Sequence, residues 1–435
     1  MLRRVVEVVV PRRLGTSFRW LVGAIWSMNL GDGLLLAAGP LLVASRTHDA
    51  FLVALAAMVE WLPPLLFGLW AGVLTDRLDR RRLVIAVDVV RVVVLLALAT
   101  AVALDAAPIA LVLAALFLLA TAETFADNTT GTLVPMLVPR TDLAVANARA
   151  QAGFIGMNQL VGPPIGAALF ALAQFSPVAV DAVLIAAGAV LVSRVRLPEH
   201  GTRPDERRRV REDVVEGVRW VWRHAAVRTL VLTILIFNVT YGAAWSVLVL
   251  YARQRLGLGA VGFGLITTMQ ALGGLVGVLA YGWLTRRITL ANLMRIGLVI
   301  ETCTHLALAL TTRAWLAMAI FFVFGAHAFV WGTTSITVRQ RAVPTALQGR
   351  ANSVNLVGVF GGLVVGSGIG GALAQRFGVT APFWFAFGGS AVFVVLIWRQ
   401  LRHVAHTDAR PDEPGPEAGR PHDEPDELTA ERPAG

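Results

Sequence analysis

Four carboxyl side chains stand inside long apolar stretches of the chain, where an ionised group is costly. They are Asp32, Glu60, Glu123 and Glu301. The chemistry that fits a carboxyl group in such surroundings is reversible protonation, so the four are candidate proton carriers. A hydrogen bond to a neighbouring helix is the alternative for Asp32. Glu301 has His305 one helical turn away, and this pair is either proton-active or simply hydrogen-bonded.

A second set of charges is spaced so that its members share helix faces. Asp88 and Arg91 are three residues apart, and Glu123 and Asp127 are four apart, so each pair lies on one side of a helix. We expect these four residues and Asp76 to form one inner charge network with Arg91 as its positive centre. A buried charge needs a partner of opposite sign, so pairing with Arg91 is the role expected of Asp88.

The elements that hold these residues are predicted from composition. Hydrophobic residues make up 56% of the 435 residues and charged residues only 15%, whereas a soluble domain has about 25% charged residues. A bilayer core of about 30 Å needs about 20 apolar residues per helix, and the chain contains twelve such stretches. We therefore expect an all-α membrane protein. Its predicted spans are 18–43, 51–74, 83–104, 107–129, 148–174, 178–194, 229–251, 261–284, 290–311, 314–335, 353–373 and 381–400.

The arginines indicate how these helices are oriented. When the N-terminus is placed in the cytoplasm, most arginines fall in inside loops, which is the arrangement that membrane proteins prefer. The prediction is a multi-pass protein of the cell (inner) membrane with both termini in the cytoplasm. The same asymmetry accounts for the net charge of +10. The expected partner is therefore the lipid bilayer, and no nucleic acid is expected to bind.

Internal similarity divides the chain into two halves. The segments that begin at Pro139 and Pro344 resemble each other, and Gly166 and Gly371 are separated by the same offset. This pattern predicts two six-helix bundles related by a parallel pseudo-repeat, with substrate bound between them near the midplane. The expected segments are a cytoplasmic N-terminus (1–17), a first bundle (18–194), a cytoplasmic linker (195–228), a second bundle (229–400) and a disordered cytoplasmic tail (401–435).

The central linker carries a second kind of pattern. Valine and tryptophan residues recur there at helical spacing among arginines and acids. This spacing predicts an amphipathic helix that lies on the inner membrane surface. A solvated linker helix is the alternative.

A dense charge cluster separates the second and third predicted spans. It consists of Gly72, Asp76, Arg77, Arg80 and Arg81. The glycine permits close helix packing, the aspartate can accept hydrogen bonds from a helix N-terminus, and the arginines can bind carboxylates or lipid phosphates. The pattern resembles motif A of the major facilitator superfamily. The resemblance implies the fold of that superfamily and a latch on its outward-open state, with the eleventh span as the partner. A purely topogenic positive cluster is the alternative.

Further stretches resemble one branch of this superfamily. Gly162, Pro163 and Gly166 belong to "GPPIG" in the fifth span, which resembles the antiporter motif C of the superfamily, and the prolines predict a kink. A kink that serves packing alone is the alternative. "NLGDGL", "DVVR" and "VVEGVRW" are similar to the drug-exporter branch that includes macrolide efflux proteins and the enterobactin exporter. This resemblance implies export of lipophilic or amphiphilic small molecules (a drug, an antibiotic or a siderophore-like compound) by proton antiport with alternating access.

Other classes of function match the sequence less well. The chain has no H-E-x-x-H motif and no P-loop, so neither an enzyme nor an ATP-driven pump is expected. We expect no metal and no cofactor, and a monomer whose partners are a small-molecule substrate and protons. A proton-coupled importer of the same fold and a non-transporting membrane sensor are the alternatives.

Overall fold

A computed structural model describes residues 11–197, 210–344, 347–398 and 400. Every regular element within these ranges is a helix. Eleven helices are long and apolar enough to cross a membrane, and a twelfth, shorter apolar helix lies near the C-terminal end of the described chain. The prediction of an all-α membrane protein is confirmed. The tail predicted to be disordered, 401–435, lies outside the described residues, as do residues 1–10.

The helices fall into two sets of six, joined by a linker helix. The first set is α1 (Thr16–Arg46), α2 (Ala50–Arg77), α3 (Arg80–Ala103), α4 (Ile109–Leu137), α5 and α6 (Ser176–Ser193). Helix α5 consists of Leu143–Gly153, the π-helical segment Phe154–Val161, and Gly162–Leu172. The second set is α7 (Ala225–Trp245, continued by Leu248–Gln254), α8 (Ala260–Arg287), α9 (Leu290–Leu310), α10 (Ala314–Ala342), α11 (Gln348–Phe377) and α12 (Ala381–Ile397).

Polar caps set where two helices of the first half begin. The Asp79 carboxylate accepts a hydrogen bond from the Arg82 amide (2.9 Å) and so caps α3. Asp49 caps α2 by accepting from two amides of its first turn. Such caps satisfy amides that the first helical turn leaves unpaired. The turn between α2 and α3 is therefore only Leu78 and Asp79, which holds the charge cluster between the ends of two spans.

The two halves use the same helix pairing around close backbone contacts. In the first half α5 packs against α1, and a Cβ at Gly166 would lie 2.2 Å from the Leu34 carbonyl oxygen. In the second half α11 packs against α7, and a Cβ at Gly370 would lie 2.1 Å from the Ala243 carbonyl oxygen. No side chain fits at either position, so glycine is what lets these helices touch. Equivalent pairs in both halves are what a parallel pseudo-repeat produces.

The halves are in close contact at one end of the molecule. We call the end with the α2–α3 turn and the linker helix the linker end, and the other the opposite end. At the opposite end, the Ala50 amide of α2 donates a hydrogen bond to Gln375 Oε1 of α11 (2.7 Å). Toward the linker end, a Cβ built at Gly72 of α2 or at Gly282 of α8 would have no close neighbour among the described residues. The close contacts described between α2 and α11 thus lie toward the opposite end.

The linker helix, Val210–Arg223, is attached to the second half. Val221 is buried and packs against residues of α7 and α11. Glu216 forms an ion pair with Arg350 at the start of α11 (2.6 Å). The Trp222 side chain is exposed. The helix itself is present as expected from its spacing, and its location on a membrane surface stays a prediction.

The contact between α2 and α11 at the opposite end can be tested directly. A Cβ at Gly371 would lie 2.7 Å from the Ala54 Cβ, so Gly371→Leu overpacks the contact at a cost of about 1–3 kcal/mol. We expect the variant to shift toward a state open at the opposite end by about 5- to 150-fold. The measurement is the rate at which an impermeant maleimide labels a cysteine at Ala50 in a Cys303→Ser background.

Gly368→Leu is the matched control for this experiment. Gly368 lies on the same helix, and no described atom is within 4 Å of a Cβ built there. The control should label at the wild-type rate. Equal labelling of wild type and Gly371→Leu would mean that this contact does not hold the halves together.

Candidate functional site

Arg91 of α3 is the centre of a buried charge network in the first half. Its guanidinium is 4% exposed and donates a hydrogen bond from Nη2 to Asp32 Oδ1 on α1. Arg91 Nη1 lies 3.7 Å from Asp88 Oδ1, one turn away on the same helix, and Asp88 is fully buried. Asp32 is therefore an ion-pair partner of Arg91 rather than an isolated carboxyl group. The nearby Asn29 amide donates to the Ile25 carbonyl oxygen and not to Asp32.

Three further carboxyl groups surround this pair. Glu123 and Asp127 of α4 interact electrostatically with Arg91, and so does Asp181 of α6. Asp127 is exposed, Glu123 is half-buried and Asp181 is fully buried. The side chain of Asp76, which was expected in the network, lies outside the described part of the structure.

Sequence reasoning missed Asp181. Its signal is the one that singled out the other acids, namely a lone carboxyl group within an apolar span. Its surroundings depend on a contact between helices, because Asp181 occupies the space left by a missing side chain on α1. A Cβ at Gly31 would lie 2.1 Å from Asp181 Oδ1.

The charges of this network do not balance when all its members are ionised. Five carboxyl groups (Asp32, Asp88, Glu123, Asp127 and Asp181) face one guanidinium, Arg91, among the described residues. Uncompensated charges are costly inside a membrane protein. The cluster can therefore hold protons or attract a cationic ligand.

Glu60 of α2 lies at the boundary between the halves. The ring of its neighbour Trp61 stacks on Phe360 of α11, with centroids 6.3 Å apart. Glu60 interacts electrostatically with Glu123 of the first half and with Tyr241 of the second. Glu60 therefore lies between the Arg91 network and the second half.

Glu301 of α9 has a different partner from the one its sequence suggests. Glu301 Oε2 lies 3.8 Å from Nε2 of His327, which is on α10. The expected partner, His305, instead meets Trp245 edge to face, with ring centroids 5.9 Å apart. The expected pairing of Glu301 with His305 is therefore wrong, because the Glu301 side chain points toward the neighbouring helix rather than along its own helix.

Aromatic rings surround the Glu301 site. Trp245 stacks on Tyr241 with centroids 4.3 Å apart, and its ring is 4.7 Å from that of Phe324. Phe321 meets Trp245 edge to face at 5.7 Å. Flat apolar surfaces beside a few polar groups are typical of small-molecule sites. Phe321 and Phe324 are buried, and the Tyr241 and Trp245 side chains are half-buried. The second half thus contributes an aromatic cluster, whereas the first half contributes most of the charge.

The charge cluster at the linker end makes its observed contacts within the first half. Arg81 donates to the Ser193 carbonyl oxygen at the end of α6. Arg80 Nη1 lies 3.0 Å from Met136 Sδ on α4, and the Arg77 side chain is exposed. The side chain of Asp76, the acid of this cluster, lies outside the described part of the structure, and the latch between α2 and α11 stays a prediction.

The fifth helix contains a π-helical segment directly before its two prolines. The π-helical segment Phe154–Val161 ends immediately before Gly162 and Pro163. Such segments widen a helix and allow it to change direction. Gly162 and Gly166 face α1, whereas a Cβ at Gly264 of α8 would lie 2.8 Å from the Pro163 carbonyl oxygen. The motif therefore contacts both halves at once.

Within residues 11–197, 210–344, 347–398 and 400, no group of three or more His, Cys, Asp or Glu side chains is arranged to hold a metal ion.

The class of this protein follows from its match to the model of one protein family. The model of the family described as "Transmembrane secretion effector" matches residues 11–422. The chain belongs to this family. It is a transporter of the major facilitator superfamily, a multi-pass membrane protein for small-molecule substrates, and not an enzyme.

Two curated relatives of this transporter extend over most of its length. It is 28% identical to the multidrug efflux pump Tap of Mycolicibacterium fortuitum, over 83% of this chain and 90% of that protein. It is 22% identical to macrolide efflux protein A of Streptococcus pyogenes, over 82% and 88% respectively.

Solved structures share the fold of this transporter. The nucleoside transporter NupG has a TM-score of 0.72 at 11% identity, covering 88% of this chain and 99% of that one. A bacterial homologue of the iron transporter ferroportin, in an inward-facing state, also has a TM-score of 0.72, at 15% identity with 88% and 98% covered. Similarity at these identities concerns the fold alone.

Proposed function

We propose that this transporter exports lipophilic or amphiphilic small molecules in exchange for protons. The observation that carries the proposal is the buried Arg91–Asp32 pair within a surplus of carboxyl groups beside the space between the halves. The names of two relatives, a multidrug efflux pump and a macrolide efflux protein, support export. The half-buried, stacked rings of Tyr241 and Trp245 suit flat, apolar ligands.

The conformation supports a direction for the cycle. The arginine distribution predicts that the linker end is cytoplasmic. Because Gly72 and Gly282 have no close neighbour there among the described residues, we infer an inward-open state that takes up substrate from the cytoplasm or the inner leaflet. In the alternate state the halves close at the linker end, where Gly72, Asp76 and Arg77 would contact α11. The transporter would work as a monomer in the cell membrane, with both termini in the cytoplasm.

Proton binding would act through the Arg91 network. Protonation of Asp32 removes its charge, weakens its bond to Arg91 and frees the guanidinium for another carboxylate. A ligand shifts a conformational equilibrium only through different contacts in the two states. Exchange of the partner of Arg91 is such a difference, and Glu60, Glu123 and Glu301 are further proton-binding candidates beside the same space.

The proposal predicts efflux that needs both a proton gradient and Asp32. Cells that produce the transporter should expel ethidium, and a protonophore should stop the efflux. Asp32→Asn keeps the shape of the side chain but cannot exchange a proton, so we expect a loss of rate of about tenfold or more, which corresponds to about 1.4 kcal/mol. The measurement is ethidium fluorescence in energised cells, at equal amounts of protein in the membrane.

Asp105→Asn is the matched control, because Asp105 is an exposed acid at the opposite end that pairs with Arg46. Its rate should equal that of the wild type. Efflux that survives collapse of the gradient would exclude proton antiport. Accumulation of dye inside energised cells would indicate an importer, and no transported dye at all would favour a sensor.

A further inference from the structure

Asp181 of α6 is a fully buried acid that belongs neither to the sequence motifs nor to the predicted latch. Neither of its carboxyl oxygens has a hydrogen-bond partner among the described residues. It lies in the slot that Gly31 opens on α1, one residue before Asp32. A buried carboxylate without a donor costs several kcal/mol, which favours the protonated form of Asp181. Both oxygens of Asp88 also lack a hydrogen-bond partner among the described residues, but Asp88 Oδ1 lies 3.7 Å from Arg91 Nη1.

Three helices pack against α6 around Asp181. Helix α1 brings Asp32 and α3 brings Arg91, whereas the Gly162–Leu172 segment of α5 has no titratable residue. Both Asp32 and Arg91 interact electrostatically with Asp181. Because Asp181 fills the slot at Gly31, the residue that precedes Asp32, it lies next to the network that contains Arg91.

The two aspartates differ in their access to the space between the halves. The Asp32 side chain is 12% exposed, whereas Asp181 is completely buried. A proton on Asp32 can leave to water, but a proton on Asp181 must first pass to another group. Asp32 is therefore suited to exchange protons with water, and Asp181 is suited to store one.

We propose that Asp181 is a second proton-binding residue, which alternates with Asp32 as the partner of Arg91. One carboxylate pairs with Arg91 while the other carries the proton. When the proton moves from Asp181 to Asp32, Arg91 moves from Asp32 to Asp181, so the number of protons and charges in the pair stays the same. Asp32 then releases that proton to water. This inference rests on the proposed proton coupling and names the site that stores the proton.

The test is the infrared absorption of protonated carboxyl groups, measured on the full chain in phosphatidylethanolamine–phosphatidylglycerol vesicles at pH 7. Asp181→Asn should lose the band of one protonated carboxyl group. Asp32→Asn should lose it as well, because Asp181 then becomes the charged partner of Arg91. A carboxyl group that is protonated for structural reasons alone would keep its band in Asp32→Asn.

Ser27→Ala is the matched control for the helix contact. Ser27 Oγ donates to the Leu184 carbonyl oxygen (2.8 Å) and so joins the same two helices without a titratable group. This variant should keep the wild-type band. An unchanged band in Asp181→Asn, or a band that survives in Asp32→Asn, would overturn the inference.

The infrared test of Asp181 and the efflux test of proton antiport can fail independently, because the infrared measurement needs no transport. If the bands are lost as expected but ethidium efflux does not depend on the proton gradient, proton antiport alone is rejected. Gradient-driven efflux with unchanged bands would reject the role of Asp181 alone. If Asp181→Asn does not fold, wild type and Asp32→Asn are compared after carbon-13 labelling of their aspartate carboxyl groups. A shifted band of a protonated aspartate should be present in the wild type and absent in Asp32→Asn, and a shifted band that stays in Asp32→Asn would overturn the inference.

Discussion

Replacing Arg91 by leucine is expected to abolish efflux and to destabilise the folded transporter by about 3–5 kcal/mol, the cost of leaving a buried charge without its partner. Arg91 is the guanidinium that pairs with Asp32 and lies 3.7 Å from Asp88. Leucine fills part of the same space but leaves the surrounding carboxyl groups without a compensating charge. The measurements are thermal unfolding of the purified protein and ethidium efflux from cells.

Two further variants show whether the loss of the Arg91 charge causes the loss of stability and efflux. Arg82→Leu removes an exposed arginine from the same helix and should change neither stability nor efflux. The double variant Arg91→Leu with Asp32→Asn should regain part of the lost stability, since residues in one ion-pair network are coupled by about 0.5–3 kcal/mol. Equal unfolding temperatures for Arg91→Leu and Arg82→Leu would mean that the network contributes nothing to the fold.

Gly166→Leu should have a comparable effect through packing instead of charge. A Cβ there would lie 2.2 Å from the Leu34 carbonyl oxygen, which is backbone and cannot rotate away. Helices α1 and α5 would have to separate, at a cost of about 3 kcal/mol or more. We expect little folded protein in the membrane and no efflux from what remains, measured by fluorescence size-exclusion chromatography and dye transport.

Gly156→Leu on the same helix provides the comparison. No described atom lies within 4 Å of a Cβ at Gly156, so this variant should fold at the wild-type level. A Gly166→Leu protein with wild-type yield and stability would show that α1 and α5 can pack in another way.

The number of helices was predictable because membrane thickness sets a minimum length for each apolar run. The helix ends were less predictable. Helix α4 continues to Leu137 although its apolar run was assigned to 107–129, and α10 reaches Ala342 instead of 335. Polar residues extend these helices beyond the apolar region, where hydropathy no longer marks a helix.

The charged site was only partly predictable, because its pairs form between helices. The acids and Arg91 were visible as charges in apolar runs, but the Asp32–Arg91 pair joins α1 to α3. In the same way Glu301 faces His327 on α10 instead of His305 on its own helix. Spacing along one helix identifies partners on that helix alone. Asp181 shows the same limit, since its slot depends on Gly31 in a different span.

The hydrogen bond from the Ala50 amide to Gln375 has a consequence for the energy of the transport cycle. Both groups belong to helix ends at the molecular rim, where each can bond to water once the halves separate. The net value of such an exchange is about 0.5–1.5 kcal/mol. This hydrogen bond alone would therefore favour the closed opposite end only slightly, and the binding energy of a weakly held drug would offset it.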